Sequence, residues 1–484
     1  MKLTYDIADK PKGGQLVVFA LQQMLAILAA TIAVPMIIGN GLTPAAAMFG
    51  AGVGTIVYWL FTKRKSPVFL GSSFAFLGSM ASAFAGGVSM QLGMLGLVLG
   101  AALAGLVYVV IALVIKAVGV EWLNRLMPPV VIGPTVAIIG LSLAGNAVGD
   151  LQTGDVKGEE GMLASPYAAI ICGLITLVTV MVCSTYGKKM MKLIPFILGI
   201  LAGYASAAIL TLIGNAADID AIKLVDFSVF KSYMMPDGEV ALSTFLSLPS
   251  FTFKEALKGT GELTGSYFAT IFAAYVPVAF VVFAEHVADH KNLSSIIGKD
   301  LLKDPGLSNT LLGDGVGSMV GAVFGGCPNT TYGESIACVA ITGNASSITI
   351  FAAAIGCILF SFITPLVAFV DSIPACVMGG VCIALYGFIA VSGLKMLQQV
   401  DLNKNRNLFV ASVILIAGIG GLSLSFGSVT ITEIAAALIL GILTNLLLSR
   451  EKDEAPAKPE KAAVPNQQAK RPAANQQRKE KKKR

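Results

Sequence analysis

Fourteen apolar stretches, most of them long enough to cross a bilayer as a helix of about 20 residues, succeed one another through this chain. They fall at 15–38, 43–62, 67–86, 90–118, 126–147, 164–183, 190–214, 266–288, 308–326, 330–347, 348–370, 373–394, 407–424 and 430–449. A chain so patterned cannot wrap its apolar side chains in a polar shell. Only 13% of its 484 residues are charged, against roughly 25% in soluble domains. The expected fold class is an all-α polytopic membrane protein; collagen-like, disordered, nucleic-acid-binding and disulfide-scaffold classes are excluded. The seven cysteines lie in or beside apolar runs without a CxxC pair and read as small buried hydrophobes. The first run is too long for the core of a signal peptide and reads as an uncleaved span.

Charge placement tests the count. The net +6 belongs to the segment Arg450–Arg484, which carries twelve Lys/Arg against five Asp/Glu, so the remaining chain is close to neutral. With the N-terminus inside, alternate loops carry Lys63, Arg64 and Lys65; Lys116 and Arg125; Lys188, Lys189 and Lys192; Lys291, Lys299 and Lys303; Lys395, Lys404 and Arg406. The opposite loops carry Asp150, Asp155, Glu159 and Glu160, then Asp218, Asp220, Asp226, Asp237 and Glu239. Deleting either of the two weak, Gly/Ser/Thr-rich runs, 67–86 or 330–347, would put half of this pattern on the wrong side.

Fourteen spans divide into two sevens, and an odd-numbered repeat must lie inverted in the membrane. Pro67–Phe74 in the third span and Pro328–Glu334 in the tenth occupy matching places, as do Pro128–Gly133 and Pro374–Gly379. Such interrupted segments point to discontinuous helices meeting at a midplane site. The expected organisation is a cytoplasmic N-terminus (1–14), a first seven-span repeat (15–214), an extracellular linker (215–265), a second repeat (266–449) and a disordered basic cytoplasmic tail (450–484). The tail can touch anionic lipid of the inner leaflet; nucleic acid is not an expected partner.

Ionisable groups inside a span are costly and therefore candidate functional groups. Both histidines of the chain sit in Glu285-His286-Val287-Ala288-Asp289-His290. On a helix, Glu285 and Asp289 share one face, and His286 and His290 an adjacent one. Glu334 begins the broken tenth span beside Gly333. Asp289 and His290 can alternatively end the helix at the membrane interface. His286-x-x-Asp289-His290 has the look of a zinc site, but a third ligand and a glutamate base are missing, so neither metal nor cofactor is expected. Gln22 and Gln23 face either the bundle or a cavity, Asp314 is read as a cap or bend of the ninth span, and Glu433 as interfacial. Tyr332 and Phe74 can stack on a flat ligand.

Half-helix N-termini at Ser73–Phe74 and Tyr332–Glu334 present backbone N–H donors and a positive dipole end. Alone they favour an anion, but two carboxylates would repel one. A planar ligand alternating N–H and C=O groups, such as a nucleobase, suits amides together with carboxylates. Uphill uptake of a neutral base requires a coupled cation, and a carboxylate withdrawn from water is a natural proton carrier.

Pro328-Asn329-Thr330-Thr331-Tyr332-Gly333-Glu334-Ser335, with Thr342 beyond it, resembles the signature of the nucleobase–cation symporter (nucleobase–ascorbate transporter) family, in the form of its uracil permease branch. Gly71-Ser72-Ser73-Phe74-Ala75-Phe76, Ala284-Glu285-His286 and the stretch from Lys299-Asp300 to Asp304-Pro305-Gly306-Leu307 resemble it too, and the likeness runs over roughly 13–449. The resemblance implies a carrier, not an enzyme, importing uracil by proton symport across the plasma (inner) membrane, frequently as a homodimer. It implies a core (spans 1–4 and 8–11) moving against a gate (spans 5–7 and 12–14), with short extended segments of spans 3 and 10 paired at the site. By position, Glu285 and Glu334 would bond the base, the N–H groups of Phe74 and Gly333 would contact it, and Tyr332 would pack on it. Glu285, Glu334 and Asp289 are the proton-coupling candidates; Gln22, Gln23, Ser73, His286 and Thr331 would stand behind them. Gln23 replaces a histidine of many relatives, Asp289 a histidine of some, and Gly343 an arginine. A xanthine or urate permease of the same family, an anion exchanger of the same architecture and a membrane metalloenzyme are the rival readings.

Overall fold

The computed structural model describes residues 3–119, 121–158, 161–188, 190–235, 238–426 and 429–449. The expected tail at 450–484 lies outside them, as do Glu159, Glu160, Lys189 and Asp237. Among the described residues, eight helices are long and apolar enough to cross a membrane, which makes this a multi-pass membrane protein.

The main helices are α1 (Gly13–Ile38), α2 (Pro44–Phe61), α3 (Leu77–Ala83), α4 (Met90–Val118), α5 (Pro129–Ser142), α6 (Pro166–Tyr186), α7 (Pro195–Ala217), α8 (Gly265–Ile297), α9 (Leu307–Gly325), α10 (Gly333–Thr342), α11 (Ser347–Phe360), α12 (Ala375–Leu397), α13 (Asn405–Ile419) and α14 (Glu433–Leu448). Their starts are written locally. Thr43 and Ser165 stand before a proline and accept from the N–H of Ala46 and Tyr167, while Ser89 and Thr264 accept from Leu92 and Tyr267. A hydroxyl cap followed by proline satisfies one orphan N–H and removes another.

The two weak apolar runs are not continuous helices. Residues 67–86 form strand β1 (Leu70–Ser72), a tight helical turn at Phe74–Phe76 and the short α3; residues 330–347 form strand β2 (Asn329–Thr331) and α10. The strands pair antiparallel with Leu70 opposite Thr331, Gly71 opposite Thr330 and Ser72 opposite Asn329. The pair is extended at both ends: Ser73 N–H donates to Pro328 O (2.8 Å) and Tyr332 N–H to Phe69 O (3.1 Å).

The eighth run, expected to end at 288, continues as helix to Ile297, so Asp289 and His290 do not end it. Helix continues because the polar side chains here find partners inside the protein. Asp314 lies in the middle of α9 and neither caps nor bends it; its role is an ion pair described below.

α2, α9 and α4 form the tightest part of the bundle. Gly50 and Gly54 of α2 face Gly317 and Gly321 of α9, the small-residue pattern that lets membrane helices approach closely. A Cβ on Gly50 would lie 2.4 Å from Gly321 O. Gly50→Val is therefore expected to destabilise by about 1–3 kcal/mol through overpacking, read as a lower melting temperature of the detergent-solubilised protein.

At the acidic end, Asp155 reaches from the loop after Leu151 to accept from the N–H of Ala375, the first residue of α12 (3.1 Å). Burial pushes its carboxyl up to about 6 despite that bond and Lys157, with Asp226 and Asp371 adding to the rise. The folded state thus binds this proton more tightly than the unfolded chain, so the contribution is fully present below about pH 4 and is lost as pH rises through 6. Asp155→Asn is expected to flatten the fall in melting temperature between those pH values; an unchanged pH profile would contradict it.

Candidate functional site

β1 and β2 leave two helix N-termini side by side. Ser73 and Tyr332, the residues before the helical turns, have extended backbones and supply no side-chain cap. Among the described residues no protein acceptor takes the N–H of Phe74 or Gly333. These donors border a cavity of about 410 Å³.

The cavity brings together most of the residues singled out in the sequence: Ser73, Phe74, Glu285, Asp289, Thr331, Tyr332, Gly333 and Glu334. Glu285 and Asp289 come from one face of α8, as i,i+4 spacing requires. Asp289 Oδ2 accepts from the Thr331 hydroxyl at 2.7 Å, which ties α8 to β2. Tyr332 lies with its ring over Gly71, where a Cβ would stand 2.3 Å from the ring, and its hydroxyl donates to Ser72 O (2.8 Å). The Ser73 and Thr330 hydroxyls, both buried, have no protein partner among the described residues.

The opposite wall consists of Val136 and Ile139 of α5, Phe196 of α7, Leu385, Phe388 and Ile389 of α12, and the turn Met190–Leu193. No sequence signal marked the apolar residues of this wall, because each sits in an ordinary apolar run. At one end of the cavity Phe74 meets Tyr386 edge-on, ring centroids 5.9 Å apart. The cavity opens at the other, where Ile341, Ser392 and Lys192 are exposed. That is the end at which Thr4 N–H donates to Gly343 O (2.7 Å), so the N-terminal segment and the mouth share one side.

Gln22, Gln23 and His286 do not line the cavity. Gln23 is buried and donates to Ser335 O (3.3 Å), supporting the start of α10; Gln22 Nε2 lies against Met190 Sδ. His286 points away, into the protein. Its Nδ1 is 2.6 Å from Asp314 Oδ2 and its Nε2 is 3.0 Å from Thr310 Oγ1, with His286 and Asp314 both fully buried. The Thr310 hydroxyl also donates to Leu307 O (3.0 Å), one turn back in its own helix. The His290 ring stacks at 4.1 Å, and its Nδ1–H donates to His286 O (2.8 Å) while Nε2 meets the Tyr58 hydroxyl at 2.6 Å.

Behind the carboxylates of α8, therefore, is a closed polar clamp onto α9 and α2. His286→Leu would strand a buried aspartate and is expected to cost about 3–5 kcal/mol, part of which the double variant His286→Leu/Asp314→Leu recovers. Melting temperatures of the two single variants, the double variant and the parent protein measure the coupling; strictly additive losses would show that the residues are not a pair.

Among the described residues no group of three His, Cys, Asp or Glu side chains is placed to hold a metal ion. What the arrangement can do is hold a small ligand between N–H donors and carboxylates, at the junction of two helical walls.

The chain is 40% identical to the uracil permease of Bacillus caldolyticus over 454 residues, covering 92% of this chain and 95% of that one. It is 36% identical to the uracil permease of Bacillus subtilis (94% and 97% covered) and 33% identical to that of Escherichia coli (91% and 93%). Its fold is similar to the transmembrane domain of the cyanobacterium bicarbonate transporter BicA, with a TM-score of 0.59 at 14% identity, covering 91% of this chain and 98% of that one. It is similar also to the murine anion transporter Slc26a9 in the inward-facing state, with a TM-score of 0.61 at 11% identity, covering 91% and 69%. The model of the permease family (Xan_ur_permease) matches residues 14–425, and the chain belongs to that family.

Proposed function

We propose that this protein imports uracil across the plasma (inner) membrane in symport with protons. The observation that carries the reading is one cavity on which two half-helix N-termini converge with the carboxylates of Glu285 and Glu334. Uracil alternates ring N–H donors with carbonyl acceptors. Glu285 and Glu334 accept from the N–H groups, the free N–H groups of Phe74 and Gly333 donate to the carbonyls, and Tyr332 packs against the ring. The uracil permeases at 33–40% identity support the same ligand.

The transport cycle follows from charge. Uracil is neutral, so its accumulation draws on a coupled ion, and the carboxyls of Glu285, Glu334 and Asp289 are the groups placed to carry a proton with it. Moving them ionised through an apolar barrier is costly, which favours movement of the loaded, protonated site.

The architecture proposed for this cycle is fourteen spans in two inverted repeats of seven, residues 15–214 and 266–449, joined by the extracellular linker 215–265. A core of α1–α4 and α8–α11, with β1 and β2, moves against a gate of α5–α7 and α12–α14. Residues 1–14 and the tail 450–484 are cytoplasmic, the basic loops sharing that side. On this assignment the cavity faces the cytoplasm. The assembly is a homodimer embedded in lipid.

Glu285→Gln and Glu334→Gln, present in the membrane at normal level, are expected to reduce proton-driven accumulation of labelled uracil to background. Retained pH-dependent accumulation in both would overturn the reading. Competition separates the rivals: labelled uracil uptake displaced by unlabelled uracil better than by xanthine or urate supports the reading, and the reverse order would indicate a purine permease. The fold shared with BicA and Slc26a9 favours one second reading, anion exchange; bicarbonate or sulfate flux that persists in Glu334→Gln would support it.

A further inference from the structure

Lys192 stands in the turn Met190–Leu193 between α6 and α7, on the wall opposite the carboxylates, and lines the cavity at its open end. It is the one basic residue among the lining residues, which include three acids: Glu285, Asp289 and Glu334. Among the described residues no ion pair engages it, and its side chain is exposed. With the cavity open on this side, the turn rests against the carboxylate wall. Leu193, the next residue, is buried with Ala26 of α1 and Cys338 of α10, so Lys192 is held beside the helix that begins with Gly333 and Glu334.

The other groups around it leave its charge uncompensated. Of the elements packed on the turn, α6 offers only Cys183 and Tyr186 near this end, α7 no ionisable group nearer than Tyr204, and α10 Glu334 and Cys338. Lys188, ahead of the turn, and Lys395 near the end of α12 are exposed cations and add to the positive potential. In a cavity with apolar walls, field lines from such a charge are focused inward.

We propose that Lys192 is a positioning residue for proton release: its charge acts on the three carboxyls only while the cavity is open on the lysine's side, so the proton leaves there. This rests on the proton-symport reading above. A site that binds its proton equally well on both sides returns it to either. A cation fixed on the gate wall at one mouth makes the carboxylate form more favourable at that mouth alone, because the carboxyls move with the core while the lysine does not. Uracil contacts are left to the core residues, so the lysine bears on the direction of proton movement and not on recognition.

The test uses the purified full chain in proteoliposomes, comparing the parent protein with Lys192→Gln and Lys192→Arg. Two rates are read with labelled uracil: net uptake driven by an inward proton gradient, and exchange against internal unlabelled uracil at equal pH, which requires neither proton release nor return of the empty carrier. Lys192→Gln is expected to slow net uptake by about threefold or more, to keep exchange near the parent rate and to shift net uptake toward higher internal pH. Lys192→Arg is expected to restore all three. Net uptake and internal-pH dependence unchanged in Lys192→Gln would overturn the inference. So would equal loss of exchange, which would make the lysine a binding or structural residue. A parent protein whose uptake ignores the gradient would instead overturn the proton-symport reading on which the inference rests.

Discussion

Everything at the centre of this molecule depends on three residue pairs of antiparallel strand. Inside a bilayer a backbone N–H or carbonyl without a partner costs several kcal/mol, so a helix can be interrupted only where another interrupted segment supplies the missing bonds. β1 and β2 do this for each other over Leu70–Ser72 and Asn329–Thr331, and Ser73 and Tyr332 extend the pairing by one bond at each end. Neither strand is viable alone, which is why two breaks remote in sequence occur together. The helical turns that follow then present their first N–H groups to a shared space.

The same constraint explains what surrounds that space. Donors left free at Phe74 and Gly333 invite acceptors, and a lone donor set would make an anion site. Glu285, Asp289 and Glu334 change its character by adding acceptors on the same cavity. Placing three carboxyls on adjacent helix starts and faces demands a rigid support. The His286–Asp314 pair and the glycine contacts of α2 with α9 supply it, one with polar bonds and the other with close packing. Neither Glu285 nor Asp289 has to leave the cavity for α8 to be held, because the holding is done by the histidine face one residue along.

Much of this was legible before any coordinates, for a physical reason. The bilayer penalises charge and backbone breaks so heavily that each exception stands out: Glu285, Asp289 and Glu334 are read from polarity alone, and the two breaks from Pro and Gly at matching places. Most helix limits followed the apolar runs to within about five residues; at α8 polar side chains satisfied inside the protein let helix continue past Ala288 to Ile297, and the run 348–370 is split after Phe360. Asp314 was misjudged because its partner is on another helix, and sequence spacing carries no information about pairs between α8 and α9. Phe388, Ile389 and Val136 were invisible for the opposite reason. An apolar residue lining a cavity and one facing lipid are chemically the same, and only tertiary placement separates them.

That asymmetry extends to how the two walls can behave. The carboxylate wall is stitched by strand pairing, a buried ion pair and glycine-to-carbonyl contacts, each of which is lost outright if the helices slide by an ångström. The facing wall meets it through side chains such as Phe74 against Tyr386 and Leu193 against Cys338, contacts of apolar atoms that lose little when one surface shifts and regain it in the new position. Directional bonds inside one wall and non-directional ones between walls place the plane of easiest motion between them, through the cavity itself. A molecule built this way shifts at lower cost between its two walls than within either one.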